Sequence, residues 1–196
     1  GTLIGGPVPP TDPWYEDLTG VAPYDLAKAK SLLQASGAAG KTLRLRLPTL
    51  PYATSCGQVV KSQLEQAGLK VQIDQLEFPA AWLTTVFKNA DYDMSIIAHV
   101  EPRDLGAVFG NPKYYTRYDD PTLQADLAAA DAGDEATQVA DMKKAARRLS
   151  EQAAGDWLGI DLMVPVYAGP PSRTGAPRPW AGVVYAAFRL DNLLRG

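Results

Sequence analysis

The sequence predicts an α/β domain with a mainly parallel sheet flanked by helices, and three observations carry that prediction. Short runs that alternate apolar and polar residues are interleaved with stretches whose apolar positions recur every three or four residues. After a leading helix these segments follow the order strand, helix, strand, helix, strand, which favours parallel neighbours joined by right-handed crossovers. The chain has 196 residues, 46% of them hydrophobic and 21% charged. A chain of that size buries roughly 70% of the surface its unfolded form exposes, so its core needs no disulfide or metal staple.

Each element has its own local signal. Asp25 is placed to cap a helix carrying Leu26, Ala29, Leu32 and Leu33, with Gly37 as its stop. Leu43, Leu45 and Leu47 alternate with Arg44 and Arg46, the mark of a strand with one wet face. Thr54 or Ser55 opens a second helix with Val59, Val60, Gln63, Leu64 and Ala67, closing at Gly68, and Val71 and Ile73 form the next strand. A third helix spans Pro79 to Phe87 with Trp82, Leu83 and Val86 on its apolar side, and a third strand runs from Tyr92 to Ala98. Asp104 precedes a short helix over Leu105 to Phe109 as a turn or capping residue. From Pro121 two Ala-rich helices follow, parted only by Gly133 and Asp134. The second has Val139, Met142, Ala146, Leu149 and Ala153 on one stripe, with Lys143, Lys144, Arg147 and Arg148 forming a solvated basic face. Leu162 to Tyr167 and Val183 to Phe188 are further strands, separated by a Pro-rich loop.

Charge and motif content narrow the function classes. A net charge of -3 with scattered Lys and Arg leaves no footprint for phosphate backbones, so nucleic acid is not an expected partner. Cys56 and His99 are the only residues of their kinds, so neither an internal disulfide nor a structural zinc set is expected. No apolar run reaches the roughly 18 residues of a spanning helix. The chain lacks a Gly-x-Ser-x-Gly elbow, a Walker-type phosphate loop and a Gly-x-Gly-x-x-Gly turn. Acidic pairs such as Asp91 with Asp93, or Asp119 with Asp120, keep a small α/β enzyme domain with carboxylate acid-base chemistry as one alternative. A non-catalytic protein-interaction domain is another. No enzymatic activity and no cofactor are expected. The start at Gly1, in a Gly/Pro-rich stretch, reads as a processed protein or a piece of a longer one.

The stretch from Asp91 to Asp104 is the richest in chemistry. An alternating strand ends in His99, Glu101, Pro102, Arg103 and Asp104, and proline cannot continue the ladder. Ligands of α/β domains collect outside the carboxyl ends of strands, which places these polar groups where a small molecule would be met. Tyr114 and Tyr115 follow Asn111-Pro112 in a loop that either packs down or caps a cleft, since a tyrosine offers an apolar ring and a polar tip. Trp82 is expected in the core.

Four segments, in this order, resemble the extracellular solute-binding proteins of family 5, the peptide-type binding components of ABC importers. They are Pro23-Tyr-Asp-Leu-Ala-Lys-Ala-Lys-Ser-Leu-Leu-Gln-Ala-Ser-Gly37, Val59-Val-Lys-Ser-Gln-Leu-Glu-Gln-Ala-Gly-Leu-Lys-Val71, Tyr92-Asp-Met94 with its acidic successors, and Arg147-Arg-Leu-Ser-Glu151 leading through Trp157 to Val164-Pro-Val-Tyr167. The resemblance implies one lobe of a two-lobe binding-protein fold. Residues 1–22 would be the lead-in near the interlobe crossing, 23–160 the ligand-binding lobe, and 161–196 the return strands and C-terminal segment. It also implies the partners: a solute, most of all a short peptide; a missing N-terminal lobe of the same protein; and a membrane permease. The location implied is extracellular or periplasmic, anchored through a lipoprotein signal ahead of Gly1.

Carried over residue by residue, the resemblance makes Glu101 the carboxylate that holds a peptide's terminal ammonium, a charge-assisted bond about twice as strong as a neutral one. His99 would sit beside the ligand, Asp104 matches the acidic residue of a following turn, and Arg103, Tyr114 and Tyr115 complete the expected ligand-binding set. The pattern departs where Leu105 replaces a proline and Ile97-Ala98 takes the place of Gly-Trp.

Overall fold

The computed structural model describes residues 4–99, 104–155, 164–167 and 180–188. Its centre is a five-stranded sheet in the order β2-β1-β3-β5-β4. The leading helix α1 (Leu26–Ala35) is capped by the Asp25 carboxylate, which accepts from the Lys28 amide at 2.9 Å. It ends before Gly37, whose φ of 70° suits a residue without a Cβ. Strand β1 (Thr42–Pro48) then leads into α2 (Pro51–Ala67), which returns the chain to β2 (Lys70–Leu76), parallel to β1 in a register running from Thr42 opposite Lys70 to Pro48 opposite Leu76. Helix α2 opens at Pro51 rather than at Thr54 or Ser55. Proline is favoured in a first turn because the amide it lacks would have no intrahelical partner.

Helix α3 (Ala80–Trp82) continues as a π-helical segment over Leu83–Lys88, and β3 (Met94–His99) joins the other side of β1, again parallel. Strands β4 (Val164–Tyr167) and β5 (Trp180–Phe188) complete the sheet; β5 runs antiparallel to both β3 and β4. Four of the five strands therefore share one direction, which agrees with the mainly parallel expectation.

One face of the sheet is aliphatic. Leu43, Leu45, Leu47, Val71, Met94 and Ile96 pack under Leu33 of α1 and under Val60, Leu64 and Ala67 of α2. The buried stripe of α2 is Ala53, Gly57, Val60, Leu64 and Ala67. Val59, expected on that stripe, is half exposed, because it falls a residue to the side of the helical period that Val60 keeps.

A second core gathers α4 (Asp104–Phe109), α5 (Pro121–Ala132) and α6 (Glu135–Gly155). Leu105, Leu123, Leu127, Met142, Ala145, Ala146 and Leu149 are buried there together with Val8. The Gly/Pro-rich lead-in is thus packed, with Trp14 and Tyr15 against the same cluster. A Cβ on Gly5 would lie 2.1 Å from the Leu18 backbone, so that crossing admits only glycine. The basic face of α6 is exposed as expected at Lys143, Lys144 and Arg147 and only partly buried at Arg148, and it is ion-paired: Arg147 with Glu16 of the lead-in, Arg148 with Asp120 at 2.6 Å, and Lys144 with Asp141. Among the described residues no helix is long and apolar enough to cross a membrane.

Candidate functional site

The opposite sheet face carries Arg44 and Arg46 on β1, Asp74 on β2, and Asp93, Ser95, Ile97 and His99 on and beside β3. Period-two alternation places these residues on one side, away from the aliphatic core. At the start of β3 the charges form a lattice. The Asp93 carboxylate accepts from the Arg44 amide at 2.8 Å and from the Arg44 guanidinium at 3.0 and 3.2 Å. Asp91 bridges Arg44 and Arg46 at 2.7 and 2.8 Å, and Arg46 reaches Asp74 at 3.6 Å. Hydrogen bonds from Arg44, then Arg46, hold the Asp91 carboxyl below its ordinary value, and Asp93 and Asp91 together raise Arg44 above its own. The expected wet face of β1 is therefore an ion-pair lattice, with the Arg46 side chain only 17% exposed.

Further along β3 the lattice gives way to aromatic packing. The Ser95 hydroxyl donates to the Arg46 carbonyl at 2.7 Å and accepts from Trp82 Nε1 at 3.1 Å. Trp82, Val86, Tyr92, Ile97 and Tyr115 form a third buried cluster, so Trp82 is core as expected. His99, the last residue of β3, has Nε2 2.7 Å from the Tyr115 hydroxyl, and the two rings stack with planes 15° apart. The Tyr115 carbonyl accepts from the Tyr92 hydroxyl at 2.8 Å. Tyr114 is half-buried, its ring edge-on to Phe87 at a centroid distance of 5.2 Å.

Of the six residues predicted to meet a ligand, the structure brings together His99, Tyr114 and Tyr115. Tyr115 is 1% exposed and Tyr114 is the outward-facing member. Asp104 is the first residue of α4. Glu101 and Arg103 lie outside the described residues.

Two participants were not anticipated. The β1–β3 ladder pairs Leu45 with Met94 and Arg46 with Ser95, and beyond it the Ala98 amide donates to the Tyr52 hydroxyl at 3.0 Å. Tyr52 lies in the first turn of α2, just past the carboxyl end of β1, and that position in a 2-1-3 strand order is the signal that would have found it. Burial raises its phenol above the ordinary value, against the opposing bond from Ala98, so it stays protonated at neutral pH. The other is Phe87, half exposed beside Tyr114 at the far end of the α3 segment. Cys56 packs on the aliphatic core, and burial pushes its thiol up, away from the reactive thiolate. No group of metal-ligating side chains occurs among the described residues.

Residues 1–119 match the family described as bacterial extracellular solute-binding proteins, family 5 Middle. The chain belongs to family 5 of the bacterial extracellular solute-binding proteins. No curated protein sequence matches it. The fold recurs in solved structures. One is the oligopeptide-binding protein AppA from Bacillus subtilis, in complex with a nonapeptide: 16% identical, TM-score 0.65, covering 79% of this chain and 35% of that one. Another is the periplasmic binding protein DppA from Helicobacter pylori in complex with the peptide STSA: 16% identical, TM-score 0.62, covering 95% and 34%. A third is NikA from Staphylococcus aureus in complex with Ni(L-His)2: 11% identical, TM-score 0.61, covering 92% and 36%. The chain thus spans about a third of the length of each, and at these identities the likeness is one of fold. It bears out the α/β reading, and the match over residues 1–119 bears out the family resemblance.

Proposed function

We propose that this chain is the ligand-binding lobe, with the return segment, of the substrate-binding component of an ABC importer, and that the solute is a short peptide. The observation that carries the reading is the family match over residues 1–119. The peptide complexes of AppA and DppA, which share the fold, support the choice of cargo. Residues 23–160 form the lobe, 161–196 return to complete it, and a second lobe closes on the solute by hinge bending before docking on the permease. Glu101 supplies the anionic contact to the terminal ammonium, with Arg103 and Asp104 beside it. Tyr114 forms cleft wall, with His99 and Tyr115 behind it. The chain captures and releases solute and hydrolyses nothing. It works outside the cytoplasm, held to the membrane by a lipid anchor.

The test is mass spectrometry of small molecules released from the purified full-length protein. Short peptides, lost on Glu101→Ala, are the expected result. A non-peptide solute keeps the importer and overturns the peptide assignment, and release of nothing from repeated preparations overturns solute capture. Because one lobe offers half of the contacts and no desolvation by closure, the lobe alone is expected to bind tri-alanine negligibly. A tight one-to-one complex with the isolated lobe contradicts the half-site picture.

A further inference from the structure

We propose that His99 is a positioning residue: through the Tyr115 hydroxyl it fixes the segment 111–118, and with it the outward-facing Tyr114, as an aromatic wall against Phe87. The inference rests on the solute-capture reading and reassigns His99 within it, from touching the solute to placing the group that touches it.

The geometry separates the two roles. His99 is 9% exposed, its Nε2 is engaged by the Tyr115 hydroxyl, and its ring runs near-parallel to the Tyr115 ring, 15° apart at a centroid distance of 5.8 Å. Tyr115 is held at both ends, since its carbonyl takes the Tyr92 hydroxyl while its own hydroxyl meets His99. The next residue, Thr116, is anchored in turn by its hydroxyl to the Val108 carbonyl of α4 at 2.7 Å. Between Asn111 and Tyr118 the chain forms neither helix nor strand; its internal bonds are local turns, Tyr114 to Asn111 at 2.9 Å and Arg117 to Tyr114 at 3.0 Å. Arg117 sits at a φ of 52°, a left-handed conformation that costs a side-chain-bearing residue free energy. Such a segment has no ladder to place it, so the side-chain anchors decide where it sits. Tyr114, next to the buried Tyr115 and itself only half-buried, packs edge-on to the partly exposed Phe87 with planes 84° apart. Moving the Tyr115 anchor moves that wall.

The experiment compares wild-type full-length protein with His99→Leu, His99→Gln and Tyr115→Phe by hydrogen-deuterium exchange of the 111–118 amides and by tri-alanine titration calorimetry. Gln restores a polar group near the Nε2 position, and Tyr115→Phe deletes one oxygen and keeps the ring, so a variant that folds is in hand even if His99→Leu is not. Tyr115→Phe and His99→Leu are expected to raise exchange of 111–118 about tenfold, with α1 and α2 unchanged, and to weaken tri-alanine binding, while His99→Gln restores both. Unchanged exchange in Tyr115→Phe overturns the proposal. So does a rise spread evenly over α1 and α2, which marks a purely structural role, and so does a loosened segment with tri-alanine binding intact. Failure of wild type to bind tri-alanine overturns the peptide reading instead, and exchange in Tyr115→Phe still decides whether the anchor exists.

Discussion

The two faces of the sheet are cut from the same strands and are built on opposite principles. Toward α1 and α2, Leu43, Leu45, Leu47, Val71, Met94 and Ile96 form a surface with no polar side-chain atom. Toward α3, the alternate residues Arg44, Arg46, Asp93, Ser95 and His99 each engage a named partner at hydrogen-bond distance. The aliphatic face is non-directional: its free energy scales with area removed from water, and it tolerates volume-conserving exchange. The polar face is directional, and each buried group there must keep its partner or bear the full cost of desolvation. One side therefore supplies stability and the other supplies placement.

The largest effect is expected on the aliphatic face. Leu45 is wholly buried beneath α2, and Leu45→Ala is expected to cost about 3 kcal/mol of unfolding free energy, measured by urea denaturation, through lost transfer and residual cavity. A cost below that of any polar-face variant would collapse the comparison. Next comes Asp93→Ala, which strips the Arg44 amide of its acceptor and leaves the guanidinium with Asp91. Because Arg44 remains a third exposed and is rehydrated, the expected loss is about 2 kcal/mol, and Arg44→Leu in the same background should recover part of it in a double-mutant cycle.

Smaller still is Asp120→Ala in the helical layer. Asp120 caps α5 by accepting from the Thr122 and Leu123 amides at 2.9 and 3.2 Å and pairs with Arg148, so about 1–2 kcal/mol of thermal stability should go with it. Burial pushes its carboxyl up, but the Arg148 bond and the two amides outweigh that and leave it depressed. Its contribution is therefore present above the unfolded value of about 4 and lost as pH falls through the lower folded value. The smallest effect is at Asp91, depressed in the same sense but half exposed. Asp91→Asn should cost under about 1 kcal/mol at neutral pH and flatten the acid limb of the stability curve below about pH 4. An unchanged acid limb would remove Asp91 from the lattice's energetics.

Period-two and helical spacing made the elements legible before any coordinates, as with the Asp25 cap, the Leu43–Leu47 alternation and the Gly68 stop. Those signals are local, carried by residues within a turn or two of each other. The strand-end cluster was also legible as a position, because a strand broken by proline marks where a sheet stops. What stayed hidden is the long-range partner. Arg44 and Arg46 look solvated until Asp91 and Asp93, far along the chain, are brought under them. Tyr52 lies at a helix start and shows no sign that its hydroxyl will accept the Ala98 amide. The direction of β5 was likewise unreadable, since hydrophobicity fixes which residues are buried and says nothing of which way a returning strand points.

That returning strand has a bearing on biosynthesis. β3 is paired to β1 at two positions and to β5 at six, yet β5 is made only after α4, α5 and α6 have been synthesised. While the ribosome works through those helices, the outer edge of β3 carries unmatched amides and carbonyls beside the apolar side chains of Met94, Ile96 and Ile97. An open edge of that kind is a template for a neighbouring nascent chain. The central seam of the sheet, β3 against β5, closes only when Trp180–Phe188 arrives.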